Sequence, residues 1–322
     1  MTTENKTFIH KYQPLYFKDF VPNDVIDLLS SLVSVDCFNV LLYGKMESGK
    51  TSLLNAVIRE YYSGYVPKDY EENVLYINNL KEQGINYYRT DVKTFCQTCS
   101  AIKNKKKILI LDDIDLINEQ SQQVFRNCID KYSHNVHFIS SCSNIQKVIE
   151  SIQSRFMIIK IQQLERKHLM NIVDNIKNIE NIEIDKDAQE FIVNISNNTS
   201  KTLINYLEKF KLVNEKITLN LAMMLCSNIS FVTLEEYTLF VLQGKMCEAI
   251  NLIYEIYDKG YSVMDILDNY FVYIKNSDVV NEEQKYKIIP FICKYISIFH
   301  NIHEDEIELS LFTNNIIQIL HL

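Results

Sequence analysis

The sequence predicts an α/β domain built on a parallel sheet, followed by an all-helical half. Three observations predict it. Short apolar runs alternate with helical periodicity as far as about residue 160, the pattern of strands joined by crossover helices. Beyond that point strand signals fade and only the helical period remains. Helix breakers are scarce, with 6 glycines and 4 prolines in 322 residues, where ordinary usage is about 7% and about 5%. No proline lies between Pro67 and Pro290, and no glycine between Gly84 and Gly244, which suits a helix-rich chain.

The elements follow in order. Val40-Leu41-Leu42-Tyr43 reads as a buried strand ending in Gly44. Residues 51–62 are expected to be helical, and Val74-Leu75-Tyr76-Ile77 forms a second strand. A helix over 86–102 shows apolar or aromatic residues at Val92, Phe95 and Ile102. Lys105-Lys106-Lys107 then precedes Ile108-Leu109-Ile110-Leu111, a third strand. A helix over 119–132 and a fourth strand, Val136-His137-Phe138-Ile139, complete the sheet. Helical periodicity then covers 165–178, 187–196, 200–213 and 216–228. A further set starts at Leu234–Leu242 and runs through 246–258, 262–276, 283–299 and 306–320. Boundaries are expected near 160 and near 230, with no internal repeat.

Composition narrows the function classes. Hydrophobic residues make up 47% and charged residues 23%, enough apolar content for a full core and too much for a disordered chain. No apolar run approaches the ~18–20 residues that span a bilayer, so no membrane association is expected. The polar start, Met1-Thr2-Thr3-Glu4-Asn5-Lys6, is not followed by a secretory h-region. The eight cysteines are scattered and read as reduced intracellular thiols. Cys96-x-x-Cys99, His134-x-x-His137 and His300-x-x-His303 each lack the further ligands a zinc site needs. Tyr, Ile, Asn and Lys are abundant and Trp is absent, a bias of AT-rich genomes.

Net charge is −8 and uneven: residues 1–160 carry 19 Lys+Arg against 18 Asp+Glu, and residues 161–322 carry 14 against 23. A lone nucleic-acid-binding protein usually presents a basic field. Any DNA contact here must therefore come from a local patch or an assembly.

One motif carries chemistry by itself. Gly44-Lys45-Met46-Glu47-Ser48-Gly49-Lys50-Thr51 fits Gly-x4-Gly-Lys-Ser/Thr, after a strand and at the start of a helix. Loop amides at Gly44, Met46, Glu47, Ser48 and Gly49, with Ser52 beyond them, are expected around the phosphates of ATP. Lys50 is expected to neutralise the β- and γ-phosphates, and Thr51 to ligate Mg²⁺. The metal needs a second acidic strand, and Ile108-Leu109-Ile110-Leu111-Asp112-Asp113 supplies it about 60 residues downstream. Asp112 would hold Mg²⁺ through water, and Asp113 stands where a water-activating carboxylate belongs.

With these motifs the sequence resembles an AAA+ ATPase, and more narrowly a replication factor C small subunit of the clamp-loader family. The resemblance covers most of the first 210 residues. Phe8-Ile9-His10-Lys11-Tyr12-Gln13-Pro14 resembles the family's N-terminal box, which packs on adenine, and Phe17-Lys18-Asp19-Phe20-Val21 continues it. The resemblance places Ile9, Tyr12, Pro14, Phe20 and Val21 at the nucleotide. Asn78, Gly84-Ile85 and Tyr88-Arg89-x-x-Val92-Lys93-x-Phe95 match the segment after the second strand. Asp112-Asp113-Ile114-Asp115 matches the family's Walker B, and Gln122–Arg126 with Asp130–Ser133 match the helix after it. Ile149–Phe156 resembles the box that ends in Ser-Arg-Cys.

The resemblance implies a role for each match. Arg155 is the arginine finger, supplied to the neighbouring subunit's ATP site. Arg89 and Lys93, four residues apart on one helix face, touch the DNA backbone. The fold implied is an AAA+ P-loop core over 1–160, an all-α lid over 161–230 and an all-α collar over 231–322 that holds five subunits in a ring. Partners implied are sister subunits in a hetero-oligomer, a sliding clamp and primer–template DNA.

Departures from the family pattern qualify these roles. Asp113 replaces the family's glutamate and is one methylene shorter. Sensor 1 falls on Ser143 by counting back from Arg155, with Asn144 one place late. Lys201, in Thr199–Leu207, takes the place of the sensor 2 arginine and loses its bidentate fork. Gln13 replaces the adenine-side arginine. Three functions therefore stay open: a subunit that binds and hydrolyses ATP to load a clamp, a weakly hydrolysing structural subunit donating Arg155 in trans, and another AAA+ replication ATPase such as an initiator or helicase loader. The expected location is intracellular: the nucleus or, if the protein is viral, host cytoplasm or nucleus.

Overall fold

The sheet is explained by which side each strand residue takes. In the computed structural model, which describes residues 6–78, 85–196, 198–226, 229–277, 279–299 and 303–321, five parallel strands stand in the order β2-β3-β4-β1-β5. Gly84 and His300 lie outside the described residues.

A short helix α1 (Phe8–Lys11) and α2 (Asp24–Ser34) precede β1 (Val40–Tyr43). Then come α3 (Lys50–Tyr61), α4 (Pro67–Tyr70), β2 (Val74–Asn78), α5 (Ile85–Arg89), α6 (Asp91–Gln97) and β3 (Lys107–Asp112). The series closes with α7 (Glu119–Tyr132), β4 (Val136–Cys142), α8 (Glu150–Gln153) and β5 (Met157–Lys160). Every residue of β3 and β4 is buried, because helices cover both faces of a parallel sheet.

Successive side chains alternate between those faces. Leu41, Ile77, Leu109, Leu111 and Phe138 pack with Tyr88, Val92, Phe125 and Ile129 from α5, α6 and α7. Val40, Leu42, Ile108, Ile110 and Ile139 pack with Leu29, Leu53, Leu54 and Val57 from α2 and α3. Because the strands are parallel, the C-terminal ends of β1, β3 and β4 come to one edge, where ligands of open α/β sheets bind.

Two expectations need correction. The sheet has five strands rather than four: β5 is an edge strand paired with β1, with only Ile159 buried, and its short apolar run escapes a reading by periodicity. The helix expected over 86–102 breaks at Thr90 and ends at Gln97. Lys107 of β3 explains the stop. Its ammonium donates to Phe95 O at 3.2 Å and Thr98 Oγ1 at 2.5 Å, holding the last turn of α6.

The chain divides into two compact units, one ending at His168 and one beginning at Leu169. Among its described residues the second is built of helices, with one isolated parallel bridge between Ile184 and Ile217. It runs from α9 (Arg166–Glu180) through α10 (Lys186–Ile195), α11 (Ser200–Val213) and α12 (Leu219–Cys226). There follow α13 (Phe231–Leu242), α14 (Met246–Tyr257), α15 (Val263–Asn276), α16 (Glu282–Phe299) and α17 (Ile307–His321). Leu169, Val173, Ile192, Leu203, Leu207 and Phe210 are buried in α9–α11. Tyr237, Tyr270 and Phe312 centre the core of α13–α17, which also takes in Ile195. The Tyr237 hydroxyl meets Thr313 Oγ1 at 2.9 Å, so the buried phenol is satisfied. No helix among the described residues is long and apolar enough to cross a membrane.

A buried polar cluster sits at the start of β4. His137 is 2% exposed, stacks on Phe38 at 3.9 Å between centroids, and holds Nε2 3.0 Å from Asp36 Oδ1. Tyr61 donates to the same carboxylate oxygen at 2.7 Å. Burial pulls the His137 pKa down to about 4, against the opposing pull of Asp36. An unfolded histidine binds its proton near pH 6.5. Between pH 6.5 and 4 the unfolded chain therefore holds a proton that the folded chain excludes. Stability is full above that window and falls as pH drops through it, by up to about 3 kcal/mol. Denaturant titrations at pH 7 and pH 4.5 should show this loss in the wild type and a smaller one in His137→Gln. Equal losses in both proteins would refute the assignment.

Candidate nucleotide site

The loop between β1 and α3 is shaped by its two glycines. Gly49 has φ +89°, a left-handed conformation that turns the chain into α3. Gly44 meets the opposite constraint: a Cβ there would stand 2.7 Å from the Ile161 carbonyl oxygen. Backbone against backbone leaves nothing to yield. Ser48 Oγ is buried in this loop without a hydrogen-bond partner, a donor available to a bound oxygen.

Lys50 is 6% exposed. Its ammonium donates to Gly44 O and Lys45 O, each at 2.8 Å, and to Ser143 Oγ at 3.3 Å. Burial pulls its pKa below the ordinary lysine value, while Asp113, Asp112 and Asp115 support the charge.

The end of β3 lies beside this loop. Thr51 Oγ1 donates to Asp112 Oδ2 at 3.0 Å, joining residues 61 apart in sequence. Two further hydroxyls reach the same carboxylate. Tyr76 of β2 donates to Oδ2 at 2.6 Å, and Ser141 of β4 donates to Oδ1. Ser141 Oγ also accepts from the Asp113 amide at 3.0 Å. A threonine hydroxyl and a carboxylate in contact beside a buried lysine form a donor set that suits Mg²⁺, a hard cation. The fit is to Thr51 and Asp112.

Asp113 follows in a left-handed conformation, φ +53°. Its carboxyl is pushed above the ordinary range, by burial first and then by Asp112 and Asp115; Lys50 works the other way. Asp115 Oδ2 accepts from the amides of Ser143, at 3.3 Å, and Asn144, at 3.0 Å. This bond ties the β3 end to the loop after β4.

Of the two candidates after β4, Ser143 reaches the Lys50 ammonium. Asn144 turns its side chain to the Gln146 amide at 2.9 Å and caps the next turn. Phe20 and Val21 line a cleft of 190 Å³ together with Ser48, Gly49, Leu53 and Ile161. Ile9, Tyr12 and Pro14 are half-buried and lie outside that lining. Met46 and Glu47 are exposed, and Ser52 is half-buried in the first turn of α3.

Arg155 lies between α8 and β5, and Asp130 of α7 holds it. Its Nη2 donates to Asp130 Oδ2 at 3.0 Å and its Nε to Oδ1. That bidentate pair keeps the Asp130 carboxyl below the usual range. Arg89 and Lys93 are both exposed. They do not share one helix, as the sequence spacing suggested. Arg89 ends α5 and Lys93 belongs to α6, because the chain breaks at Thr90. Lys201 is the second residue of α11, in the other compact unit, and is exposed.

Tyr76 and Ser141 were not anticipated as partners of Asp112. Their signal was present in weak form: hydroxyl side chains inside otherwise apolar strands.

The family described as "ATPase family associated with various cellular activities (AAA)" matches residues 40–164. The replication factor C C-terminal domain matches residues 233–297. A replication factor C small subunit of Methanococcus maripaludis is 28% identical over 290 residues, covering 89% of this chain and 90% of the relative. A replication factor C small subunit 2 of Pyrobaculum islandicum is 28% identical over 263 residues, 81% of each. Among solved structures, a DNA polymerase III gamma subunit-related protein of Thermotoga maritima matches with a TM-score of 0.53 at 15% identity, over 91% of this chain and 97% of that one. The RuvB Holliday junction branch migration motor of the same organism matches with a TM-score of 0.54 at 15% identity, over 71% and 79%. These two likenesses concern the fold.

Proposed function

The chain belongs to the AAA ATPases and carries a replication factor C C-terminal domain behind its ATPase core, and from that premise we propose that it is a clamp-loader subunit. It binds ATP with Mg²⁺ to help place a sliding clamp on primer–template DNA during replication. The observation that carries the reading is the Thr51–Asp112 pair beside the buried Lys50, in a chain whose other half matches replication factor C.

Each residue's part combines its chemistry with what the family resemblance implies. Loop amides at 44–49 and the start of α3 receive the phosphates, and Lys50 exchanges loop carbonyls for phosphate oxygens. Thr51 and Asp112 hold Mg²⁺, which when bound neutralises charge on the β- and γ-phosphates. Phe20 and Val21 cover the base in their cleft; Ile9, Tyr12 and Pro14 belong to the segment leading there. Ser143 serves at the sensor 1 position and Lys201 at sensor 2. Arg155 leaves Asp130 to enter the neighbouring subunit's site. Arg89 and Lys93 meet the DNA backbone, which needs charge and no base reading.

We assign 1–160 to the core, 161–230 to a lid and 231–322 to a collar that joins sister subunits in a five-membered ring. The setting is intracellular, in the nucleus or, if the protein is viral, in host cytoplasm or nucleus.

Asp113 favours one further reading. Its carboxyl, one methylene shorter than the glutamate of the family pattern, suits a weak activator of water, and so a subunit that binds ATP, hydrolyses slowly and acts in trans through Arg155.

The test is ATP hydrolysis by the purified chain with sister subunits, with and without primed DNA and clamp. Stimulation by DNA and clamp together is expected. No stimulation in any combination would overturn clamp loading and favour another AAA+ replication ATPase, such as an initiator or helicase loader.

A further inference from the structure

The Tyr76 phenol is the feature of the site that motif reading does not account for. Tyr76 lies in β2, paired in register with Ile110 of β3. Its ring is half-buried, and its hydroxyl reaches the C-terminal end of β3 to donate to Asp112 Oδ2 at 2.6 Å. Thr51 donates to that same oxygen, and Ser141 to the other.

The three donors differ in origin. Thr51 sits at the start of α3, and its hydroxyl is the group a bound Mg²⁺ would take as a direct ligand. Tyr76 and Ser141 come from the sheet, where backbone ladders hold them. Once Thr51 turns to a metal, Tyr76 still donates to Oδ2. A phenol is more acidic than an alkyl hydroxyl and donates more strongly.

We propose that Tyr76 is a positioning residue for the metal: its hydroxyl fixes the carboxylate plane of Asp112 toward the metal's water shell. This rests on the reading of Thr51 and Asp112 as the Mg²⁺ site. Partners that orient metal-binding groups typically contribute about 10–100-fold in metal affinity or activity.

Tyr76→Phe keeps the ring and removes only the hydroxyl. Binding of a fluorescent N-methylanthraniloyl ADP is measured in EDTA and across a Mg²⁺ titration, alongside thermal melting. The expected result is a rise of about tenfold in the Mg²⁺ concentration that half-saturates the metal-dependent gain in affinity. Affinity in EDTA should stay within about twofold of wild type. An unchanged Mg²⁺ midpoint overturns the proposal. So does an equal loss of affinity with and without Mg²⁺, accompanied by a lower melting temperature, which marks a purely structural role. A wild-type protein that binds the nucleotide with no Mg²⁺ dependence overturns both this proposal and the metal site beneath it. A wild type with normal dependence and an unaltered variant overturns this proposal alone.

Discussion

Lys50→Ala should lower ATP affinity and turnover by about 10²–10³-fold, the range seen when one preorganised charge-stabilising donor is removed from an active site. The reason is local charge balance. Lys50 is buried beside Asp112, Asp113 and Asp115, and all three support its charge. Alanine leaves these carboxylates facing the incoming phosphates without a cation between them. It also removes the two bonds at 2.8 Å that tie the ammonium to Gly44 O and Lys45 O, so the loop loses its internal brace. Lys50→Arg should not rescue binding. The guanidinium fork is wider than an ammonium and cannot occupy a point enclosed by two loop carbonyls. Fluorescent-nucleotide binding and melting, measured together, check both effects. An alanine variant that binds ATP within threefold of wild type would remove Lys50 from the phosphate site.

Arg155→Ala should act elsewhere. In an assembled ring, turnover at the neighbouring site should fall by about 10³–10⁵-fold, the usual contribution of an arginine finger. This chain's own nucleotide affinity should be unchanged. Its melting temperature should also change little, because the Arg155–Asp130 pair is exposed and such pairs contribute little to stability. The Asp130 bond has a second consequence. Entry into a partner site requires release from a bidentate acceptor within the same chain, so Asp130→Asn should ease that release. The measurement is single-turnover hydrolysis in rings where only this subunit carries the substitution. Ring turnover within threefold of wild type would remove the finger assignment. A loss of nucleotide binding by this chain alone would place Arg155 at its own site instead.

Much of this architecture was readable along the chain. The helices at 119–132 and 200–213 begin and end where their periodicity does. The glycine pair and the lysine that follows marked the P-loop, because glycine is favoured in the left-handed turn at Gly49 and a Cβ at Gly44 would stand 2.7 Å from backbone. The acidic end of β3 was equally plain. Other parts were not. β5 lies in an apolar run of four residues, Phe156–Ile159, and periodicity cannot tell so short a run from the end of a helix. The break at Thr90 separates Arg89 from Lys93, and the stop at Gln97 depends on Lys107, ten residues further on and in another element.

Local signals therefore determined the element types, the two-part organisation and the identity of the phosphate loop, since backbone propensity, side-chain period and motif spacing are written within a few turns of chain. Only the tertiary structure decided the partners. Tyr76 and Ser141 meet at Asp112, Asp130 takes Arg155, and His137 finds Asp36 across 101 positions. Each of these contacts depends on strand order and register, which arise from packing both faces of the sheet at once and leave no period or spacing in the sequence to mark them.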